Sequence, residues 1–201
     1  MGGGSASTPR SAPGRPATAV ARSSRPWRPC CRSWRNETQE AAALMRITIL
    51  VGTMSGTAEM VAEEMEDALR GAGHTVETLV LDDASGPELF TRDGAFVLCM
   101  STYGSGNVPD NVIVLRDALE ADRPDLAQVR YGVFALGDHT YQDTFCHGGE
   151  SFDRLLASLG AQRIGPIRYN DASSSELPED VGPEWVVEWA EALAASGEPV
   201  A

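Results

Sequence analysis

The sequence predicts an α/β protein with a doubly wound parallel sheet covered by helices on both faces. Short apolar segments rich in β-branched and aromatic residues alternate with longer segments whose apolar residues recur at helical spacing. Such alternation is typical of a parallel sheet, and right-handed crossovers cover both of its faces only where the winding reverses once. We expect strands at 46–51, 75–81, 95–101 and 131–136, and a weaker fifth at 163–168.

Four helices are predicted between and after these strands. Apolar stripes fall at 58–69, at 110–121, at 152–159 and at 185–193, and the last of them follows Pro178 and Pro183. Glycines close the first and third stripes. The segment 82–92 is ambiguous and has room for a short helix. In a sheet of this kind a ligand binds at the carboxyl ends of the strands, beside the reversal of winding. The loops after strands one, three, four and five are therefore the candidates for function.

Composition divides the chain into two parts. Residues 1–44 carry seven Arg and two Glu and are rich in Ser, Pro, Ala and Gly, whereas residues 45–201 carry nine Arg and 27 acidic residues. The first part cannot bury a core, so we expect a disordered basic tail. Three interpretations stay open: a transit peptide, an interaction tail, or a start codon assigned too far upstream of Met45. Residues 45–201 have the length of one domain.

The charge and cysteine content exclude several classes of function. The acidic domain argues against binding to nucleic acid or to anionic membrane surfaces. No apolar run reaches the roughly 20 residues that span a membrane. The four cysteines show neither zinc-ligand spacing nor the density of a disulfide framework. We therefore expect the reducing cytoplasm, with an organelle as the alternative if the N-terminal segment is a transit peptide.

The loop after the first strand has the features of an anion site. Residues 52–57 read GTMSGT and lead directly into the first helix. The first N–H groups of a helix lack partners within it and carry partial positive charge, and the loop hydroxyls add donors. The sequence contains no Lys, and the loop lacks the nucleotide-hydrolase pattern G-x-x-x-x-G-K-[ST]. The loop is therefore expected to hold a phosphate without transferring it.

Two further loops indicate a slot for a flat ring. Residues 101–106 read STYGSG after the third strand, and residues 137–146 read GDHTYQDTFC after the fourth. Tyr103 and Tyr141 take the same relative place in these loops, so two aromatic rings can flank a planar group. A phosphate site and a planar slot on one edge predict a phosphorylated, planar heterocycle as the ligand.

These motifs resemble the flavodoxin-like FMN-binding domains from residue 45 to about residue 193. TMSGTA at 53–58 is similar to their phosphate loop, and STYGSG with PDN at 109–111 is similar to the second loop of diflavin reductases. ALGDHTY at 135–141 and SLGAQRI at 158–164 follow the family pattern in the right order. The ending, from LPED at 177–180 to Trp189, resembles free-standing short proteins of the MioC type. The resemblance implies a five-stranded sheet in the order 2-1-3-4-5.

The resemblance also implies the residues that bind FMN. Tyr103 and Tyr141 are expected to cover the two faces of the isoalloxazine ring, and Asn170 and Asp171 to approach it from the fifth loop. The third loop is one residue longer between Tyr141 and Phe145 than the reductase pattern. The remaining expected contacts are Thr53, Met54, Ser55, Gly56, Thr57 and Ala58 for the phosphate, and Ser101, Thr102, Gly104, Ser105, Gly106, Gly137, Asp138, Phe145 and Cys146 for the rest of the cofactor.

The function that follows from this resemblance is electron transfer. FMN supplies the redox chemistry, so no side chain need act as acid, base or nucleophile, and the protein is expected to be a carrier rather than a stand-alone oxidoreductase. Its acidic surface predicts docking to a basic patch on a reductase and on an acceptor. The alternatives are a flavin-free binding module and a nicotinamide-linked oxidoreductase, although the latter needs G-x-G-x-x-G after the first strand. A response-regulator receiver needs an acidic pair after strand one and a late Lys, which this chain lacks.

Overall fold

The computed structural model of the chain describes residues 44–196. The interpretations of residues 1–44 therefore lie outside the described residues, apart from Leu44. No helix within 44–196 is long and apolar enough to cross a membrane.

The described residues form a parallel sheet in the order predicted. The strands are β1 (Arg46–Gly52), β2 (Thr75–Val80), β3 (Ala95–Ser101), β4 (Arg130–Gly137), β5 (Gln162–Arg163) and β6 (Arg168–Asp171). The sheet runs β2-β1-β3-β4-β5, and β6 also pairs with β4. Every pairing between these strands is parallel, which confirms the doubly wound architecture.

The fifth strand differs from the prediction of one strand over 163–168. It is split into β5 and β6, which pair with opposite ends of β4. Gly165 between them has φ +73°, a left-handed conformation, and Pro166 has no N–H to donate to a ladder. The Gly-Pro pair therefore interrupts the strand where a continuous one was expected.

Four helices cover the sheet at α1 (Thr57–Gly71), α2 (Asp110–Asp122), α3 (His147–Ser158) and α4 (Pro178–Ala195), with short 3₁₀ turns at Pro87–Thr91 and Gln142–Thr144. The last helix begins earlier than its apolar stripe suggested, so Pro183 lies inside it. Pro183 lacks the N–H of one intrahelical hydrogen bond near the helix start. The absence of this hydrogen bond has only a local effect, because the buried face of α4 continues through Val186 and Trp189.

The core has two halves, one on each face of the sheet. Side chains of α1 and α4 pack on one face against β1, β3 and β4. Side chains of α2 and α3 pack on the other face, with the 3₁₀ turn at Pro87–Thr91 beside them. From β1 the chain winds first to β2 at one edge and then back to β3 on the opposite side. The reversal leaves a crevice at the carboxyl ends of β1 and β3, where the predicted loops meet.

Candidate functional site

A cavity of about 630 Å³ opens at the carboxyl edge of the sheet. This volume lies within the range of roughly 300–1,000 Å³ that is usual for ligand sites. Its walls come from the loops after β1, β3, β4 and β6 and from the start of α4. The lining residues are Ser55, Thr57, Met60, Ser101, Thr102, Gly104, Leu136, Gly137, Asp138, Tyr141, Thr144, Asn170, Ala172, Ser174, Glu176, Leu177, Pro178 and Glu179.

The first loop forms one end of the cavity and is fixed by its own hydrogen bonds. Gly56 caps α1 with φ +86°, a conformation that disfavours other residues. Its N–H donates to Thr53 Oγ1 at 2.9 Å, and the hydroxyls of Ser55 and Thr57 lie 3.3 Å apart. Because Thr57 opens α1, its N–H and that of Ala58 precede the first hydrogen bond of the helix, in which the Glu59 N–H donates to Gly56 O at 3.1 Å. This end of the cavity therefore gathers hydroxyls and main-chain donors suited to an anion.

The start of α2 holds this loop from outside. The Thr53 N–H donates to Asn111 Oδ1 at 3.3 Å, and Asn111 Nδ2 donates to the carbonyl oxygen of Leu81 at 2.9 Å. The Asp110 N–H donates to the sulfur of Met54 at 3.4 Å. Sequence analysis named Asn111 only as part of a motif and assigned it no contact. Side-chain bonds between residues 58 and 30 positions apart leave no periodic signal in a sequence.

The second loop makes a tight turn beside the cavity. Tyr103 and Asn107 exchange two main-chain hydrogen bonds, of 3.0 and 2.9 Å. Gly106 has φ +92°, and a side chain there would come within 3.2 Å of His147 and Thr144. The turn leaves the Tyr103 ring 51% exposed. The ring thus stands on a fixed loop but is itself free of packing on much of its surface.

Asp171 holds the third loop from β6. Its Oδ1 accepts hydrogen bonds from the His139 N–H at 2.9 Å and from the N–H and hydroxyl of Ser173 at 2.9 and 2.8 Å. The hydrogen bond from the His139 N–H is the main reason that the pKa of Asp171 is lowered, and the Ser173 bonds add to it. The Ala172 N–H donates to Gly137 O at 2.8 Å. The fifth loop therefore supports the third loop.

Tyr141, Phe145 and Cys146 differ in their exposure. Tyr141 lines the cavity and is 67% exposed. Phe145 packs edge-on against His139, with ring centroids 4.8 Å apart. Cys146 is fully buried, and its thiol donates to the carbonyl oxygen of Ala135 at 3.3 Å. Burial raises the pKa of the Cys146 thiol to about 12. The backbone of Cys146 is left-handed, with φ +57°, and its side chain is buried in the core.

The structure brings nine of the predicted site residues to the cavity wall, six of which belong to the second and third loops. Those nine are Ser55, Thr57, Ser101, Thr102, Gly104, Gly137, Asp138, Tyr141 and Asn170. The other predicted residues stand beside or behind the wall, namely Thr53, Met54, Gly56, Ala58, Tyr103, Ser105, Gly106, Phe145, Cys146 and Asp171.

The segment 172–179 is the part of the wall that sequence analysis missed. It joins β6 to α4 and includes two carboxylates, Glu176 and Glu179. A topological signal was available, because a helix that follows a parallel strand begins at the carboxyl edge of the sheet. Residues 172–176 carry no motif, and LPED at 177–180 indicated only the family, so the contact of this segment with the cavity was not evident.

The fold and the cavity together define a doubly wound protein that can hold a phosphorylated planar ligand at its switch point. The profile of the flavodoxin family matches residues 49–185. The chain therefore belongs to the flavodoxin family. Membership confirms the predicted class of function, an FMN-binding electron carrier.

The matches with similar proteins span nearly the whole length of those proteins. Flavodoxin YqcA of Pectobacterium carotovorum subsp. carotovorum is 39% identical over 153 residues, which span 76% of this chain and 99% of that protein. Protein MioC of Escherichia coli K12 is 35% identical over 149 residues, which span 73% and 97%. A solved structure of a flavodoxin mutant from Pseudomonas aeruginosa has a TM-score of 0.66 and 38% identity, and the match covers 74% of this chain and 99% of that one. The predicted resemblance to MioC-type short flavodoxins is thereby confirmed.

Proposed function

We propose that FMN lies along the cavity with its phosphate at the first loop. The observation that supports this most directly is one continuous cavity lined by Ser55 and Thr57 at one end and by Gly137 and Tyr141 at the other. The main-chain N–H groups of Met54, Ser55, Thr57 and Ala58 and the hydroxyls of Ser55 and Thr57 would hold the phosphate. Thr53 and Gly56 shape the loop through their shared hydrogen bond.

The ring would lie between the second and third loops. Tyr141 borders the cavity, and Tyr103 precedes Gly104, which lines it. The half-exposed Tyr103 ring has room to turn over the face of the isoalloxazine, while Gly104, Ser105 and Gly106 let the main chain approach its edge. Phe145 and Cys146 support the third loop from the protein side, and Asn170 stands at the back of the cavity. Offset stacking adds about 0.5–1.5 kcal/mol per face beyond the burial of area.

The chain itself would bind and orient the cofactor and set its potential. FMN, when bound, supplies the uptake and release of electrons. The charged residues that line the cavity, within the described part of the chain, are the carboxylates Asp138, Glu176 and Glu179. Negative charge beside the ring disfavours an additional negative charge on it, so these residues favour the oxidised cofactor and donation at low potential.

The proposed partners are a reductase and an acceptor that each present a basic surface. The formal net charge of −13 supports electrostatic steering toward such surfaces and opposes binding to nucleic acid or to anionic membranes. We propose the cytoplasm as the compartment, because Cys99 and Cys146 are both free and buried in the described domain. Rates of reduction by a partner should fall as ionic strength rises.

The experiment that tests this function is a flavin titration of the purified full chain. We expect a yellow protein, or an apoprotein that takes up one FMN and quenches its fluorescence, with riboflavin and FAD bound much more weakly. Equal affinity for riboflavin and FMN would contradict the assignment of the first loop to the phosphate. Failure to bind any flavin would favour a flavin-free binding module.

A further inference from the structure

We infer that Asn111 is the positioning residue that holds the first loop in its phosphate-binding shape and so sets the preference for FMN over riboflavin. This inference rests on the proposed function, because it concerns the same cavity. Asn111 is not a lining residue, so its side chain would act through the loop rather than on the ligand.

The Asn111 amide links three elements around the switch point. It projects from the first turn of α2, which follows β3, and accepts from the Thr53 N–H just after β1. Its Nδ2 donates to Leu81 O, just after β2. Leu81 in turn donates its N–H to Val51 O at 3.0 Å. One partly buried side chain thus connects the ends of three adjacent strands.

The connection continues into the anion site. Thr53, whose N–H is bound to Asn111, accepts the Gly56 N–H on its hydroxyl at 2.9 Å. Gly56 then caps α1, whose first residue, Thr57, lines the end of the cavity. The hydrogen bonds run from Asn111 to Thr53 and from Thr53 to Gly56, which caps α1. Loss of the Asn111 bonds should therefore loosen the first loop where it leaves β1. Loop order matters for affinity because a preformed site avoids the cost of ordering the loop on binding.

The ring end of the cavity does not depend on Asn111. Asp171 supports the third loop from β6, and the second loop closes through the bonds between Tyr103 and Asn107. None of these bonds shares a donor or acceptor with Asn111. The two ends should therefore respond separately to mutation, and only a phosphate-bearing ligand should report a change at Asn111.

An asparagine suits this position because it offers one donor and one acceptor on a short, planar group. Aspartate would keep an acceptor for the Thr53 N–H but lose the donor to Leu81 O and add negative charge near the phosphate. Leucine keeps a similar volume and makes neither bond. Asn111→Leu therefore removes both bonds without adding charge, whereas Asn111→Asp removes one bond and adds a charge.

The test measures dissociation constants for FMN and riboflavin with the full chain and its variants. Loss of the Asn111 bonds should weaken FMN binding about tenfold, a factor that matches one or two net hydrogen bonds, and change riboflavin binding less than about twofold. Asp171→Ala is the matched comparison at the ring end, where both flavins should weaken by the same factor. Asp125→Ala, which removes a turn bond to the Ala127 N–H, is the control for general destabilisation.

The outcomes separate this inference from the proposed function. A parent protein that binds neither flavin overturns both. A parent that prefers FMN, with Asn111→Leu and Asn111→Asp keeping the parent's ratio of the two affinities, overturns the inference alone. Equal weakening of both flavins also overturns it, because that pattern indicates a general structural role. If Asn111→Leu does not fold by circular dichroism, Asn111→Ala decides, since it also removes both bonds and adds no charge.

Discussion

The two ends of the cavity are built in different ways. At the end proposed for the phosphate, Thr53, Gly56 and Asn111 are connected by hydrogen bonds between loops and helices. At the ring end, the two tyrosines that border the slot are 51% and 67% exposed. One end is fixed before a ligand arrives, whereas the other presents aromatic surface that is free to adjust.

This difference suggests a division of work between the ends. A preformed anion site contributes affinity, because little order must be created on binding. Exposed aromatic rings contribute less to affinity, but the contact proposed for them with the isoalloxazine would influence its reduction potential and fluorescence. Mutations at the first end should therefore alter which flavin binds, and mutations at the second should alter how the bound flavin behaves.

The largest effect is expected when the hydroxyls at the phosphate end are removed. The double variant Ser55→Ala/Thr57→Ala should lose roughly 3–6 kcal/mol of FMN binding, since hydrogen bonds to charged groups contribute about 1.5–3 kcal/mol each. Riboflavin binding should stay within about twofold of the parent. Titration of both flavins measures this. Ser158→Ala removes a hydroxyl bonded to Leu155 O outside the cavity and serves as the control. An equal loss of affinity for FMN and riboflavin would contradict the separate roles of the two ends of the cavity.

The next effect concerns the aromatic slot. Tyr103→Ala should weaken FMN and riboflavin alike by on the order of 1–3 kcal/mol, through lost stacking and lost buried area. The variant should also raise the potential for full reduction and brighten the bound flavin. Tyr141→Ala should act in the same direction but less strongly. Tyr103→Phe keeps the ring and should resemble the parent. Unchanged affinity, potential and quenching in Tyr103→Ala would remove Tyr103 from the site.

A smaller effect is expected from pH. A phosphate monoester loses its second proton near pH 6, so FMN affinity should fall roughly fourfold from pH 7.5 to 5.5 if the dianion binds. The ring end should not change in that range. The Asp171 pKa is lowered, so its stabilising contribution is present above its ordinary value of 3.8 and is lost only as pH falls through the lower native pKa. Riboflavin titrations at both pH values provide the comparison, and a matching fall for riboflavin would contradict the prediction.

The smallest effect is expected from deletion of residues 1–44. This segment carries a composition unlike that of the acidic domain, and the first strand begins at Arg46. We predict unchanged thermal stability and unchanged affinity for FMN in the fragment 45–201, measured by calorimetry and titration. A marked loss of FMN affinity with no loss for riboflavin would show that the arginine-rich segment takes part at the phosphate end.

The strands and the candidate loops could be predicted from the sequence because both have short-range signals, whereas the strand order came from the resemblance to a known family. Each strand is a short apolar run, and the loop at 52–57 is recognisable because its hydroxyl-bearing residues directly precede a helix. The split of β5 and β6 also had a visible signal, since Gly165-Pro166 is a strand-breaking pair. That signal was outweighed by the apolar residues on either side.

The supports behind the site could not be read from the chain. Asn111 and Asp171 act through hydrogen bonds to residues 58, 30 and 32 positions away. Such bonds depend on where the sheet places its loop ends, so a composition or a period does not encode them. Cys146 is a further example, because its neighbours in sequence lie in an open loop while its side chain enters the core.

The burial of Cys146 has a chemical consequence for a protein that handles electrons. Peroxide formed when a reduced carrier meets oxygen attacks thiolates far faster than thiols. With a pKa of about 12, the Cys146 sulfur is a thiol in all but a minute fraction of molecules at neutral pH. The same burial denies oxidants access to the sulfur. The thiol that follows the proposed ring-binding loop is thus shielded from peroxide in two ways, by its protonation and by its burial.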